Sequence, residues 1–193
     1  RYNGKDVRIF RPSQENKGLT NNEINELCGD KMGRMYIRSG GDLIKLDIYK
    51  ERFTCLRQND VRGMFCREDT LWVSCKGGIY YYTSESSDLT FVTQLRDGVG
   101  QGEALYLTDD MIWVITRNHL VVISRKNPVR QDTLLSFSRG KCISGDSTGN
   151  IWVGTWDGLY RLSVNREITH YTSAPGMGDL SDNQVRCVLE DDF

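Results

Sequence analysis

Few side chains in this chain could transfer protons or attack a substrate. There are two histidines, His119 and His170. The pattern described below places His119 on a turn and His170 on an outer strand, whereas a phospho-accepting histidine of a kinase sits on a long dimerising helix. Gly98, Gly100 and Gly102 resemble a phosphate-cradling loop, but they lack the dinucleotide spacing and open no helix, so they read as a loop. No Gly-x-Ser-x-Gly elbow occurs, and Glu190, Asp191 and Asp192 read as turn and edge residues rather than as a glycosidase pair. Asp146 and Gly149 could open a calcium loop. Calcium needs six or more oxygens, however, and each such turn supplies one carboxylate.

The six cysteines are Cys28, Cys55, Cys66, Cys75, Cys142 and Cys187. None is in Cys-x-x-Cys spacing, which argues against zinc and dithiol redox sites and for small buried apolar side chains. One disulfide stays open for an oxidising compartment. Neither a cofactor nor a metal is expected. Basic and acidic residues balance at 25 and 26, so nucleic acid is a poor partner. No stretch approaches eighteen consecutive apolar residues, and no signal-peptide pattern opens the chain at Arg1.

One motif recurs. Its clearest copy runs Asp146, Gly149, Ile151, Trp152, Val153, Gly154, Gly158, Leu159. The aromatic position is filled by Tyr36, Trp72, Trp113 and Trp152, with steps of 36, 41 and 39 residues. An apolar residue follows seven places later each time: Leu43, Ile79, Leu120 and Leu159. A second half-motif at Leu19–Leu27 returns at Leu180–Val188, a shift of 161 residues or four periods. Periods near forty mark arrays of one supersecondary unit.

Each unit yields four short strands separated by Gly, Asp and Asn, with no helical periodicity. In the last copy these are residues 141–144, 151–155, 158–163 and 167–172. The expected architecture is all-β: a β-propeller section of four to five four-stranded antiparallel blades, part of a larger propeller. The segments are a partial blade at 1–29, repeats around 30–66, 67–107, 108–145 and 146–182, and the start of a further blade at 183–193. Asp-x-x-Gly is expected to form the tight turn into the second strand. Tyr36, Trp72, Trp113 and Trp152 are expected to anchor equivalent inter-blade positions. Trp152→Ala is expected to cost about 3–5 kcal/mol.

The string from Gly149 to Arg161, then Ile168–Tyr171, Leu180–Val185 and Val188–Asp192, closely resembles the two-component regulator propeller repeat. The likeness covers nearly the whole chain and is weakest in the middle copies, where His119 replaces the turn glycine. It implies the periplasmic sensor region of a hybrid two-component histidine kinase and response regulator. Such a region is non-catalytic and senses oligosaccharides from polysaccharide breakdown. Transcription would be controlled through kinase and regulator modules beyond a membrane span, in a receptor that works as a homodimer. Contact with the rest of the chain or another copy is expected through Tyr2–Phe10 and Val185–Leu189. Two other classes stay open on the residues alone, a lyase or glycosidase on a propeller scaffold and a structural interaction propeller.

Propellers bind ligands on one loop face. The candidates there are Arg38, Lys76, Arg117, Asn118, His119, Trp156 and Asp157. Trp156 is additional to the anchor Trp152 and lies on a turn among polar groups, which suits either a sugar or the cover of a neighbouring blade.

Overall fold

The computed structural model describes residues 4–5, 7, 9–12, 18–173 and 180–191. Four antiparallel sheets of four strands follow one another. They are β1 (Ile24–Gly29), β2 (Arg34–Ser39), β3 (Asp42–Asp47) and β4 (Arg52–Arg57); β5 (Val61–Arg67), β6 (Thr70–Cys75), β7 (Gly78–Tyr82) and β8 (Thr90–Thr93); β9 (Gly102–Leu107), β10 (Met111–Thr116), β11 (His119–Ser124) and β12 (Gln131–Ser136); and β13 (Cys142–Gly145), β14 (Ile151–Gly154), β15 (Leu159–Leu162) and β16 (Ile168–Tyr171). Each sheet is a meander in sequence order. The first strands touch in series, β1 on β5, β5 on β9 and β9 on β13, so they line the axis and the sheets radiate from it as blades. The chain is a partial β-propeller.

Sequence repeat and blade are offset by one strand. β1, β5, β9 and β13 each close one repeat unit in sequence and pair into the following sheet.

The apolar alternation of the second and third strands fills the gaps between blades. Tyr36, Leu43, Val61, Met64, Leu71 and Val73 form the first seam. Trp72, Ile79, Leu105, Ile112 and Val121 form the second, and Ile115, Leu120, Ile151, Val153 and Tyr160 the third. Tyr36 and Trp72 are buried, while Trp113 and Trp152 are half-buried. Trp152 faces outward from the fourth blade, and no sheet follows β16 among the described residues. Its cover comes instead from a stacked Tyr171, centroids 5.9 Å apart, and from the Arg161 guanidinium.

At the first seam the Cys28 thiol of β1 and the Cys66 sulfur of β5 lie 3.2 Å apart. The hydrogen bond to Cys66 and burial both push the Cys28 thiol well above its usual range. Of the terminal segments expected to make outward contacts, Tyr2 lies outside the described residues. Val7 and Ile9 are exposed and line an apolar cleft on the open face of the first blade. At the other end, Val185 N–H donates to the Thr155 carbonyl at 2.8 Å, as Val61 N–H does to Gly41 at 2.9 Å. The C-terminal segment therefore joins the fourth blade as an inner strand joins its predecessor.

The Asp-x-x-Gly turns do more than reverse the chain. Gly149 takes φ +85°, the left-handed region open to glycine. Asp146 Oδ1 accepts from Thr148 N (3.0 Å), Thr148 Oγ1 (2.8 Å) and Asn150 N (2.9 Å). Its Oδ2 accepts from Asn150 Nδ2 (2.9 Å) and from the anchor, Trp152 Nε1 (2.7 Å). Asp30 repeats the device, accepting from Met32 N, Arg34 N and the Tyr36 hydroxyl. In the middle blades, where Cys66 pairs with Leu71 and Leu107 with Ile112, Arg67 and Thr108 hold the equivalent position. In the third blade, Trp113 Nε1 is buried without an acceptor among the described residues.

Burial by itself would raise the Asp146 carboxyl, but the donors from Trp152, Asn150 and Thr148 outweigh it and hold it well below its ordinary 3.8. A carboxylate depressed in the folded state stabilises above its unfolded value and loses that contribution as pH falls. Asp146→Asn is therefore expected to lower stability by about 1 kcal/mol at neutral pH, since solvent screens part of these charged bonds. The gap to the unsubstituted protein should begin to narrow near about pH 4 and go on narrowing as pH falls further. Urea unfolding at stepped pH measures both.

Candidate ligand face

The turns between second and third strands and the connections between blades open at the same end of the array. Two adjoining polar cavities lie there. The larger, about 470 Å³, is lined by Arg38, Gly40, Asn59, Asp60, Arg62, Glu103 and Lys141, among others, which come from all four blades. The smaller, about 320 Å³, is lined by Glu103, Arg117, Arg139, Gly140 and Lys141. Because Glu103, Gly140 and Lys141 line both, the two form one groove.

Most of its charges are paired. Arg38 Nε meets Glu26 at 3.2 Å, Arg62 lies 3.8 Å from Glu103, and Arg57 holds Asp60 at 2.7 Å. Burial pushes the Glu26 carboxyl up, against the pull of Arg38. Arg117, Arg139 and Lys141 form no ion pair among the described residues.

The candidates read from sequence separate into groups. Arg38 and Arg117 line the groove. Lys76 lines a different cavity, about 200 Å³, beside Arg96, Asp97 and Gln101. Asn118 accepts a bond from Phe137 N–H at its carbonyl and lines neither groove cavity. His119 is not on a turn but is the first residue of β11, because its N–H bonds Thr116 Oγ1 and its register pairs it with Ser136. Its Nδ1 lies 3.1 Å from Ser136 Oγ. His170 sits on β16 as expected. It stacks on Tyr160 at 4.0 Å and donates from Nε2 to the Asp157 carbonyl at 2.8 Å.

Asp157 ties its own turn to the link that leads into its blade. Its Oδ1 accepts from the Thr155 hydroxyl, and its Oδ2 accepts from Ser138 N–H at 3.2 Å and the Tyr160 hydroxyl at 3.4 Å. Trp156 is 37 % exposed, beside the groove. The Arg139 guanidinium lies over its ring at 4.2 Å and the Lys141 ammonium at 5.3 Å. Arg62, Glu103, Arg139 and Lys141 were not legible as site residues. They stand on or beside inter-blade connections, where the repeat keeps no fixed side chain. The short run Arg139, Gly140, Lys141 ahead of β13 is the one local signal.

No protein-family profile and no curated protein sequence matches the chain. Solved structures do match. The extracellular domain of BT4673 from B. thetaiotaomicron, named a one component system in one solved structure and a hybrid two component system in another, superposes with TM-scores 0.72 and 0.70 at 14 % identity, over 88 % and 84 % of this chain and 25 % and 24 % of that one. The extracellular domain of the hybrid two-component system BT3049 from B. thetaiotaomicron gives 0.70 at 21 % identity, over 90 % and 27 %. Virginiamycin B lyase from Staphylococcus aureus gives 0.66 at 13 % identity, over 82 % and 59 %. The chain shares its β-propeller fold with these extracellular domains and spans about a quarter of their length.

Proposed function

We propose that this chain is a non-catalytic, ligand-sensing propeller section of a periplasmic receptor of the hybrid two-component type. Its ligand is an oligosaccharide from polysaccharide breakdown, held on the loop face. The signal passes through packing against the rest of a homodimeric receptor to kinase and regulator modules that control transcription. The observation that carries this reading is the likeness to two sensor ectodomains over 88–90 % of the chain, together with a polar groove on the face propellers use for ligands.

The lyase fold is similar too, so the chemistry of the groove must separate the readings. Its carboxylates, Glu103 and Asp60, are each near an arginine. His119 and His170 are engaged by Ser136 and by Asp157 and Tyr160, on their own blades. That arrangement favours binding over general acid–base turnover, which needs a group free to exchange a proton with substrate.

The test is calorimetry with an oligosaccharide panel, followed by chromatography of the recovered ligand. Saturable binding with the glycan returned intact is expected. A cleaved or eliminated product would make the chain an enzyme.

A further inference from the structure

The groove also carries information about the charge of its ligand, taking as given the reading of this face as a saccharide-sensing surface. We infer that the smaller cavity binds the acid group, a carboxylate or sulfate, of an anionic saccharide through Arg117, Arg139 and Lys141.

Three observations converge. First, these cations come from two different connections, the β10–β11 turn and the β12–β13 link, yet line one cavity of about 320 Å³. The other groove arginines have carboxylates within 4 Å, and these three have none among the described residues. The whole chain is at net charge −1, so the excess is local. Two carboxylates oppose them: Glu103, which lines the same cavity and lies 3.8 Å from Arg62, and Asp157, whose oxygens are turned to Ser138 N–H and the Thr155 and Tyr160 hydroxyls.

Second, the cations are held in place. Arg139 has φ +47°, a left-handed conformation that a non-glycine residue adopts at a cost. Gly140 follows because a Cβ there would come within 2.3 Å of Ile115 Cγ2 and 2.7 Å of the Phe137 ring. Gly140 N–H donates to the Arg117 carbonyl at 2.9 Å, so the two connections are tied to each other.

Third, Trp156 does not offer a bare face for a neutral sugar. Arg139 lies over it at 4.2 Å, and a stacking sugar would have to displace that cation–π contact. An anion leaves the contact intact and completes it, since a guanidinium can stack on a ring while its N–H edge pairs with an acid group. The adjoining 470 Å³ cavity, with Asn59 and Glu103, leaves room for the next sugar and acceptors for its hydroxyls.

The experiment is calorimetry on the protein with three kinds of probe: a galacturonate disaccharide and trisaccharide, their neutral methyl esters, and a sulfated disaccharide. Arg117→Gln, Arg139→Gln and Lys141→Met are each expected to weaken acidic binding about tenfold. Esterification should abolish it, and raising salt from about 0.05 to about 0.5 M should weaken it severalfold. The ratio of carboxylated to sulfated affinity identifies which acid the cavity prefers. Circular dichroism confirms that each variant is folded. Binding of neutral oligosaccharides that all three variants leave within about twofold would overturn the inference and keep the sensing role. Binding of neither acidic nor neutral saccharides would overturn both.

Discussion

Tyr36→Ala is expected to be the most damaging aromatic truncation in the chain, lowering unfolding free energy by about 3–5 kcal/mol. Tyr36 has no exposed surface and lies in the seam between the first two blades, among Leu43, Val61, Met64 and Leu71. Its ring meets Tyr82 edge-on, centroids 6.2 Å apart, and its hydroxyl bonds Asp30 at 3.3 Å. Truncation opens a cavity with two blades for walls, and neither can collapse into it without breaking its own ladder. Tyr36→Phe keeps the ring and removes the hydroxyl, so it should cost only about 1 kcal/mol. Guanidinium melts of the two variants separate packing from the hydrogen bond, and equal losses would refute the assignment. Trp152→Ala, expected from sequence at about 3–5 kcal/mol, is now expected near 2 kcal/mol. Trp152 is half-buried, and its partners are Tyr171, Arg161 and Asp146 rather than a second sheet.

That revision shows what kind of information the sequence carried. Spacing of Tyr36, Trp72, Trp113 and Trp152 revealed the blades, because every seam needs one large side chain at the same register. It could not reveal how fully each is covered, since cover depends on the neighbouring sheet. The turn aspartate was legible as a chain reversal. Its bond to the anchor aromatic was not, since that requires knowing that residues six apart meet across a hairpin.

The groove was only partly legible for a similar reason. Arg117 and Trp156 lie on turns that the repeat itself marks, and Arg38 lies in β2 one residue before its end, not on the loop expected from sequence. Arg62, Glu103, Arg139 and Lys141 come together only because four blades share an axis. Trp156 was legible as an extra aromatic on a turn. Its engagement by Arg139, 17 residues earlier, depends on a left-handed backbone that no residue type at 139 announces.

Gly63→Val should disrupt the array at its axis. Gly63 lies in β5, and a Cβ built on it would come 2.5 Å from the Glu103 carbonyl oxygen and 3.0 Å from Ala104 Cα, both backbone atoms of β9 in the next blade. No rotamer relieves such a contact, so one inner strand must move off the other. The same approach brings the Ser74 hydroxyl within reach of the Gly63 carbonyl at 3.3 Å and the Gly102 carbonyl at 3.0 Å, a buried bridge that separation would break. Overpacking alone costs about 1–3 kcal/mol. Losing the bridge adds about 1 kcal/mol. A total near 3 kcal/mol is expected in a denaturant melt. Hydrogen exchange should show the loss concentrated in β5, β6 and β9, with the Asp146 turn in the fourth blade still protected. Uniform loss of protection would mean that the blades unfold as one unit and that the close approach at Gly63 is not a separate point of failure. Radial arrays favour the local outcome, because each blade contacts only its neighbours and a defect at one seam leaves the others packed.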